Sequence, residues 1–174
     1  LDAKEKIKNR NVTVTNYHGF AYHMLIKIGI QPNIGDAIQL FNDKKPKINE
    51  YDVLIIDEYQ DIETEFSEML EYIKSENPSI QIIAVGDMAQ KIYDKTTLDV
   101  SAFMEKFLGP HIKLAFTKCF RLSAGLAEKL GHIWKKKIIG VNDSCMVEEM
   151  TVSEVMEFLS MQDPKEILCL GSRN

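Results

Sequence analysis

Asp57, Glu58, Gln60 and Asp61 follow directly on the apolar run Val53-Leu54-Ile55-Ile56, and Asp87 and Gln90 follow on Ile82-Ile83-Ala84-Val85 about 25 residues later. Both runs are rich in β-branched residues and too short for a buried helix. Each predicts an interior strand covered on both faces, as in a parallel α/β sheet. Carboxylates crowded at the end of a buried strand repel one another and lose solvation, so they need compensation. A hydrated Mg²⁺ provides it, taking one or two carboxylates and filling its remaining positions with water and phosphate oxygens. An acidic helix N-terminus, favoured by the helix dipole, is the better explanation of a single isolated Asp-Glu pair. Two strands that both end in acid-plus-glutamine turns predict instead two walls of one site, at the strand ends where open α/β sheets bind ligands.

Three further stretches carry residues able to do chemistry. Tyr17-His18-Gly19 offers an aromatic ring that can stack on a base, worth ~1–3 kcal/mol, and an imidazole that can reach a phosphate. The alternative is a ring packed on its own helix beside a capping His18. Arg121, within Cys119-Phe120-Arg121, is either a surface ion-pair former or a cation aimed at a developing charge. Lys135-Lys136-Lys137 reads as a solvated helix end suited to the dipole, with a phosphate patch as the second reading.

The elements that must position these residues follow from periodicity. Val12 to Thr15 and the alternating Ile112 to Phe116 predict further strands. Phe20, Met24, Leu25 and Ile28 share one helical face, with Gly29 as a stop. Residues 30–50 predict a short helix and an exposed basic loop. Phe66, Met69, Leu70 and Ile73 form a stripe that packs a helix on the sheet, ended by Asn77-Pro78. A helix is expected over Val100 to Leu108, another through Leu126, Ala127, Leu130, Ile133 and Trp134, and a third after the capping-box spacing Thr151 to Glu154. Asp143 to Met150 is expected to be irregular with room for one strand, and Glu166 to Gly171 to be a buried-type strand.

Composition sets limits. The 174 residues suit one domain or one and a half, and 45% hydrophobic content is enough for a core. No apolar run reaches the ~18–20 residues of a membrane span. Cys119, Cys145 and Cys169 are odd in number and lack C-x-x-C spacing, which speaks against a disulfide framework or zinc site and for a reducing, cytoplasmic setting. A net charge of −5 does not advertise nucleic-acid binding, although a local groove matters more than the total. Leu1 is not an initiator Met, so the chain is expected to begin in mid-protein or to have been processed.

Asp57-Glu58-Tyr59-Gln60-Asp61 resembles motif II, the D-E-x-Q-D form of Walker B, of UvrD/Rep-like superfamily 1 DNA helicases. Gly86-Asp87-x-x-Gln90-x-Ile92-Tyr93 resembles their motif III, Tyr17-His18-Gly19 their T-F-H-G/S motif, and Cys119-Phe120-Arg121 the N-Y-R of motif IV. The resemblance covers residues 10–125 well and 145–174 loosely. It implies an α/β, three-layer, mainly parallel sheet with helices on both faces, an incomplete RecA-like P-loop NTPase core. Residues 1–120 would form part of a first motor domain and 121–174 the start of a second motor domain or a C-terminal extension.

The roles it implies are these. Asp57 holds Mg²⁺ through water, Glu58 activates the attacking water, and Gln60, Asp61 and Asp87 belong to the nucleotide cleft. Gln90 senses the γ-phosphate, and Arg121 acts as an arginine finger, a device worth ~10³-fold or more in rate. Tyr17, His18 and Tyr93 lie toward single-stranded DNA or a duplex junction. Lys95 stands where many relatives have an aromatic base platform, and a phosphate contact would replace it.

No Gly here is followed by Lys, so the phosphate-cradling G-x-x-x-x-G-K-[S/T] loop is absent from the sequence. The expectation is therefore a fragment whose parent hydrolyses ATP with Mg²⁺ and moves on DNA, inactive as this piece. Its unpaired sheet edges would allow self-association. The alternative is a degenerate helicase-like module that binds nucleic acid or a partner without hydrolysis. A metal-dependent nuclease using Asp57, Glu58, Asp61 and Asp87 is disfavoured, because Gln60, Gln90 and Tyr93 have no part in it.

Overall fold

The structure, a computed structural model, describes residues 5–91, 97–143, 148–163, 165 and 167. It divides into two compact units, Leu1–Ile112 and Lys113–Asn174.

In the first unit, α1 (Tyr17–Lys27) starts at Asn16, whose side chain accepts a hydrogen bond from the Gly19 N–H at 2.7 Å. Asn16, not His18, is therefore the cap. It satisfies one of the N–H groups left orphaned at a helix start. Gly29, at φ +79, ends the helix region as its spacing predicts. Helix α2 (Ala37–Lys44) buries Ala37, Ile38 and Phe41 and ends at Lys45 in the left-handed region. The loop beyond is not free: Pro46 is buried, and the Tyr72 hydroxyl donates to the carbonyls of Lys45 and Pro46 at 2.9 and 3.2 Å.

Strand β1 (Val53–Ile56) pairs in parallel with β2 (Gln81–Ala84), Val53 opposite Gln81 and Ile56 opposite Ala84. Between them runs α3 (Thr64–Glu76), which buries Met69, Leu70 and Ile73 as the stripe predicts. Buried Asn77 sets where β1 begins. Its amide donates to the Ile73 carbonyl at 2.9 Å and its oxygen accepts from the Tyr51 N–H at 2.8 Å. Helix α4 (Val100–Leu108), capped by Asp99, packs Val100, Phe103, Met104 and Phe107 beside Ile56 and Leu70. A second cluster gathers α1, α2 and α3 around Leu25, Phe41 and Met69.

Two expectations need correction here. The β1–β2 ribbon is not covered on both faces. Leu54, Ile56, Ile82 and Ala84 join the cores, whereas Val53, Ile55 and Ile83 on the opposite face are 45%, 65% and 43% exposed. Side chains alternate along a strand, so a helical layer on one side covers only every second residue. Nor do residues 12–15 and 112–116 form strands, since neither takes part in a ladder. β-Branching favours a pleated, half-buried surface and does not by itself supply a pairing partner.

In the second unit, β3 (Lys118–Ser123) pairs in parallel with β4 (Ile139–Asn142) through an irregular register between Cys119 and Ser123. The strand thus falls a few residues later than the alternation at 112–116 implies. β4 had no sequence expectation. Between them lies α5 (Ala124–Trp134), capped by Ser123 and closed by Lys135 in the left-handed region. Helix α6 (Val152–Ser160) has a full capping box, Thr151 and Glu154 bonding reciprocally. That pairing holds the Glu154 carboxyl below the usual carboxylate range. The α/β class with parallel strands stands, carried by two two-stranded sheets among the described residues.

Candidate functional site

The carboxyl ends of β1 and β2 lie side by side because the strands are parallel and in register. The chain leaves β1 through Asp57 and Glu58 into a 3-10 turn, Tyr59–Asp61, and leaves β2 through Val85 and Gly86 into a second, Met88–Gln90. Backbone bonds continue the ladder past both strands. The Val85 N–H donates to the Ile56 carbonyl at 2.8 Å, and the Tyr59 N–H donates to the Val85 carbonyl at 3.2 Å. The two acid-and-glutamine turns therefore form adjoining walls.

Glu58 sits at φ 54, ψ 47, a left-handed conformation uncommon for a residue with a side chain. Such backbone is held by its surroundings and clusters at functional sites. Asp57 Oδ1 accepts the Glu58 N–H at 3.1 Å. The buried Gln60 donates from Nε2 to Glu58 Oε2 at 2.5 Å and accepts the Asp87 N–H on Oε1 at 3.0 Å. Asp87 caps its own turn by accepting the Ala89 N–H at 3.0 Å, and Gln90 Nε2 donates to Asp87 Oδ2 at 3.4 Å. Gly86 allows the walls this close: a Cβ there would stand 2.6 Å from Gln60 Oε1 and 2.9 Å from the Tyr59 backbone nitrogen. Asp57, Glu58 and Asp61 are exposed at the mouth.

Tyr17 joins the same neighbourhood from α1. Its ring stacks on Phe66 at 4.7 Å and 5°, and His18 meets Phe66 edge-on at 5.8 Å. One face of the Tyr17 ring is thus occupied by Phe66 of α3, so the ring packs on a neighbouring helix and not on its own. Burial, then the charges of Asp57 and Asp61, push its phenol up to about 12. Arg121 is exposed on β3 in the second unit. Tyr93 and Lys95 lie outside the described residues, as do Cys145, Cys169 and the segment 168–174.

The donor set suits one ion and one task. Mg²⁺ asks for one or two carboxylates, with water and phosphate for the rest. Asp57, at a strand end with one oxygen already orienting the next peptide, fits that demand. No group of three or more His, Cys, Asp or Glu side chains that could hold a metal ion exists among the described residues.

A family model described as an AAA domain matches residues 3–96, more than half of the chain. The chain belongs to the AAA domain family. This places it in the P-loop NTPase, helicase-like superfamily, in a domain type found in UvrD-like helicases. The matched residues of this AAA domain include both turns, Asp57 to Asp61 and Gly86 to Gln90, together with Tyr17 and His18; Arg121 lies beyond them. No curated protein matches the chain. Within the AAA domain, sequence reasoning missed Asn77, which sets the start of β1, because its side-chain partners lie 26 residues away on one side and within its own helix on the other. The Asn-Pro pair signalled a helix end and nothing more. No helix among the described residues is long and apolar enough to cross a membrane.

Proposed function

We propose that this chain carries part of the hydrolytic centre of an ATP-dependent DNA helicase or translocase of the UvrD/Rep kind. The observation that carries the reading is the meeting of two acid-and-glutamine turns at the ends of adjacent parallel strands, tied together through Gln60. Asp57 would hold Mg²⁺ through water, and the ion would supply charge neutralisation for the triphosphate. Glu58, exposed at the mouth, accepts a proton from the water that attacks the terminal phosphoryl group. Gln90, on the second wall, meets that phosphate. Arg121 offsets the charge that develops on it. Phosphoryl transfer asks for positioning and electrostatics more than for covalent chemistry, which suits this assembly of carboxylates and amides. His18, Tyr93 and Lys95 contact the DNA strand, with Tyr17 offering at most its uncovered face.

A triphosphate also needs a phosphate-cradling loop, which these 174 residues lack. ATP hydrolysis should therefore be measured on this chain and on the full-length product of its gene, each with and without single-stranded DNA. The expected result is DNA-stimulated turnover in the full-length product, none in the 174 residues alone, and a loss of about 10²-fold or more in Glu58→Gln. DNA binding without turnover in the full-length product would replace this reading with that of a helicase-like binding module.

A further inference from the structure

We infer that Gln60 is a positioning residue that latches the Asp87 turn to the Glu58 carboxylate, so that the two walls of the site move as one. The inference rests on the hydrolysis reading for its consequence, but the latch itself stands on geometry. Gln60 is 3% exposed, and both ends of its carboxamide are used across the site. Nε2 donates to Glu58 Oε2 at 2.5 Å, and Oε1 accepts the Asp87 N–H at 3.0 Å.

A carboxamide does both, from two separate atoms. An ionised carboxylate at this position accepts but cannot donate, and an aliphatic side chain does neither. A buried amide left with one end unpaired is costly, so the two bonds hold each other in place. Glu58 adds a second constraint. Its left-handed backbone needs surrounding contacts to persist, and the Gln60 bond fixes the side chain that this backbone projects. Gly86 adds a third, because any Cβ would press on Gln60 Oε1 at 2.6 Å and close the gap the amide occupies. A shift of the turn that carries Gln90 therefore pulls on Gln60 and re-aims Glu58. Engagement of the second wall is reported to the base on the first.

The test uses Gln60→Leu and Gln60→Glu in the full-length gene product, reading steady-state ATP hydrolysis and amide hydrogen exchange at Asp87. Gln60→Leu should lower kcat by about tenfold or more with KM for ATP within about twofold, since the residue acts through Glu58 and touches no substrate. The same variant should speed exchange at Asp87 by about tenfold or more. Gln60→Glu separates the two bonds. Exchange at Asp87 stays slow because the new carboxylate still accepts, while kcat stays about tenfold or more below wild type because the donor to Glu58 is gone. An unchanged kcat in Gln60→Leu, a loss confined to KM, or a wild-type kcat in Gln60→Glu would overturn the positioning role. If Gln60→Leu fails to fold, Gln60→Glu decides the matter. A wild-type product without turnover removes the hydrolysis reading and the role of Gln60 in it. Exchange at Asp87 then still establishes the latch if Gln60→Leu speeds it, and refutes the latch if it does not.

Discussion

The two units of this chain fold by different means. Leu1–Ile112 carries two clusters of buried side chains, which enclose Leu25, Phe41, Met69 and Leu70 and reach up to Ile56 at the foot of the acidic turn. In Lys113–Asn174, Ala127 is the one buried apolar residue among those described, while Phe116, Phe120, Ile133 and Trp134 are exposed. Its order comes from local devices: the Ser123 and Thr151 caps, the left-handed Lys135, and one short strand pair. Caps are worth roughly 0.5–2 kcal/mol each, whereas a buried leucine contributes roughly 1.5–3 kcal/mol and a cluster holds several. Glu58 and Gln60 therefore stand on the well-packed unit, and Arg121 stands on the thinly packed one.

The most forceful way to break this comparison is to cut into each unit equally. Leu70→Ala, at a site 2% exposed, should destabilise the first unit by about 2–5 kcal/mol. Ile133→Ala, at 70% exposure, should change stability by no more than about 0.5 kcal/mol. Urea denaturation of the two variants measures both. A large loss from Ile133→Ala would show that the second unit buries its helix against something, and the contrast would fall.

Much of the first unit was legible because its signals are local and redundant. The Phe66, Met69, Leu70 and Ile73 stripe and the two short apolar runs each imply one element by themselves, and each element is there. The proximity of Asp57 to Asp61 and Gly86 to Gln90 was legible for the same reason, since parallel strands bring their ends together. What failed depended on partners. Residues 12–15 and 112–116 have strand composition without a ladder, and Val53 and Ile55 have core composition without a second layer. The role of Gln60 was only half legible. Its type and place suggested the cleft, but its two partners depend on Glu58 turning left-handed and on Gly86 having no Cβ.

A finer cut uses those close approaches. Gly86→Ala places a methyl 2.6 Å from Gln60 Oε1 in the first unit, and Gly140→Ala places one against the Ser123 carbonyl in the second. Both force shifts, and each should cost about 1–3 kcal/mol. The location of the damage is what sharpens the comparison. Gly86→Ala should speed amide exchange at Asp87 and Tyr59 and slow any ATP hydrolysis, because it displaces the amide that aims Glu58. Gly140→Ala should loosen the β3–β4 pair and leave exchange in the first unit as it was. Exchange that rises throughout both units after either change would mean they unfold together, and the distinction between a packed and a locally ordered unit would be lost.

The smallest effect reads the packed unit through a single phenol. All six tyrosines of the chain precede Lys113, so an alkaline titration sees the first unit alone. Tyr17 is raised from the ordinary value of 10.0 to about 12, by burial first and by Asp57 and Asp61 after it. A phenol whose folded value lies above its unfolded one favours the neutral form in the fold. Its contribution to stability is therefore complete below pH 10.0 and is lost as the pH rises toward about 12. Absorbance at the phenolate band, taken as the difference between wild type and Tyr17→Phe, should show a midpoint near the upper value, and Tyr17→Phe should keep its stack on Phe66 while losing that part of the alkaline destabilisation. Asp57→Asn should lower the midpoint only in part, because burial is the larger cause and remains. If Asp57→Asn returned Tyr17 to its ordinary value, charge would dominate and the ring would be far wetter than a 4.7 Å stack allows. The part of the shift that Asp57→Asn removes is the part through which the charge of the acidic turn reaches the helix start at Tyr17.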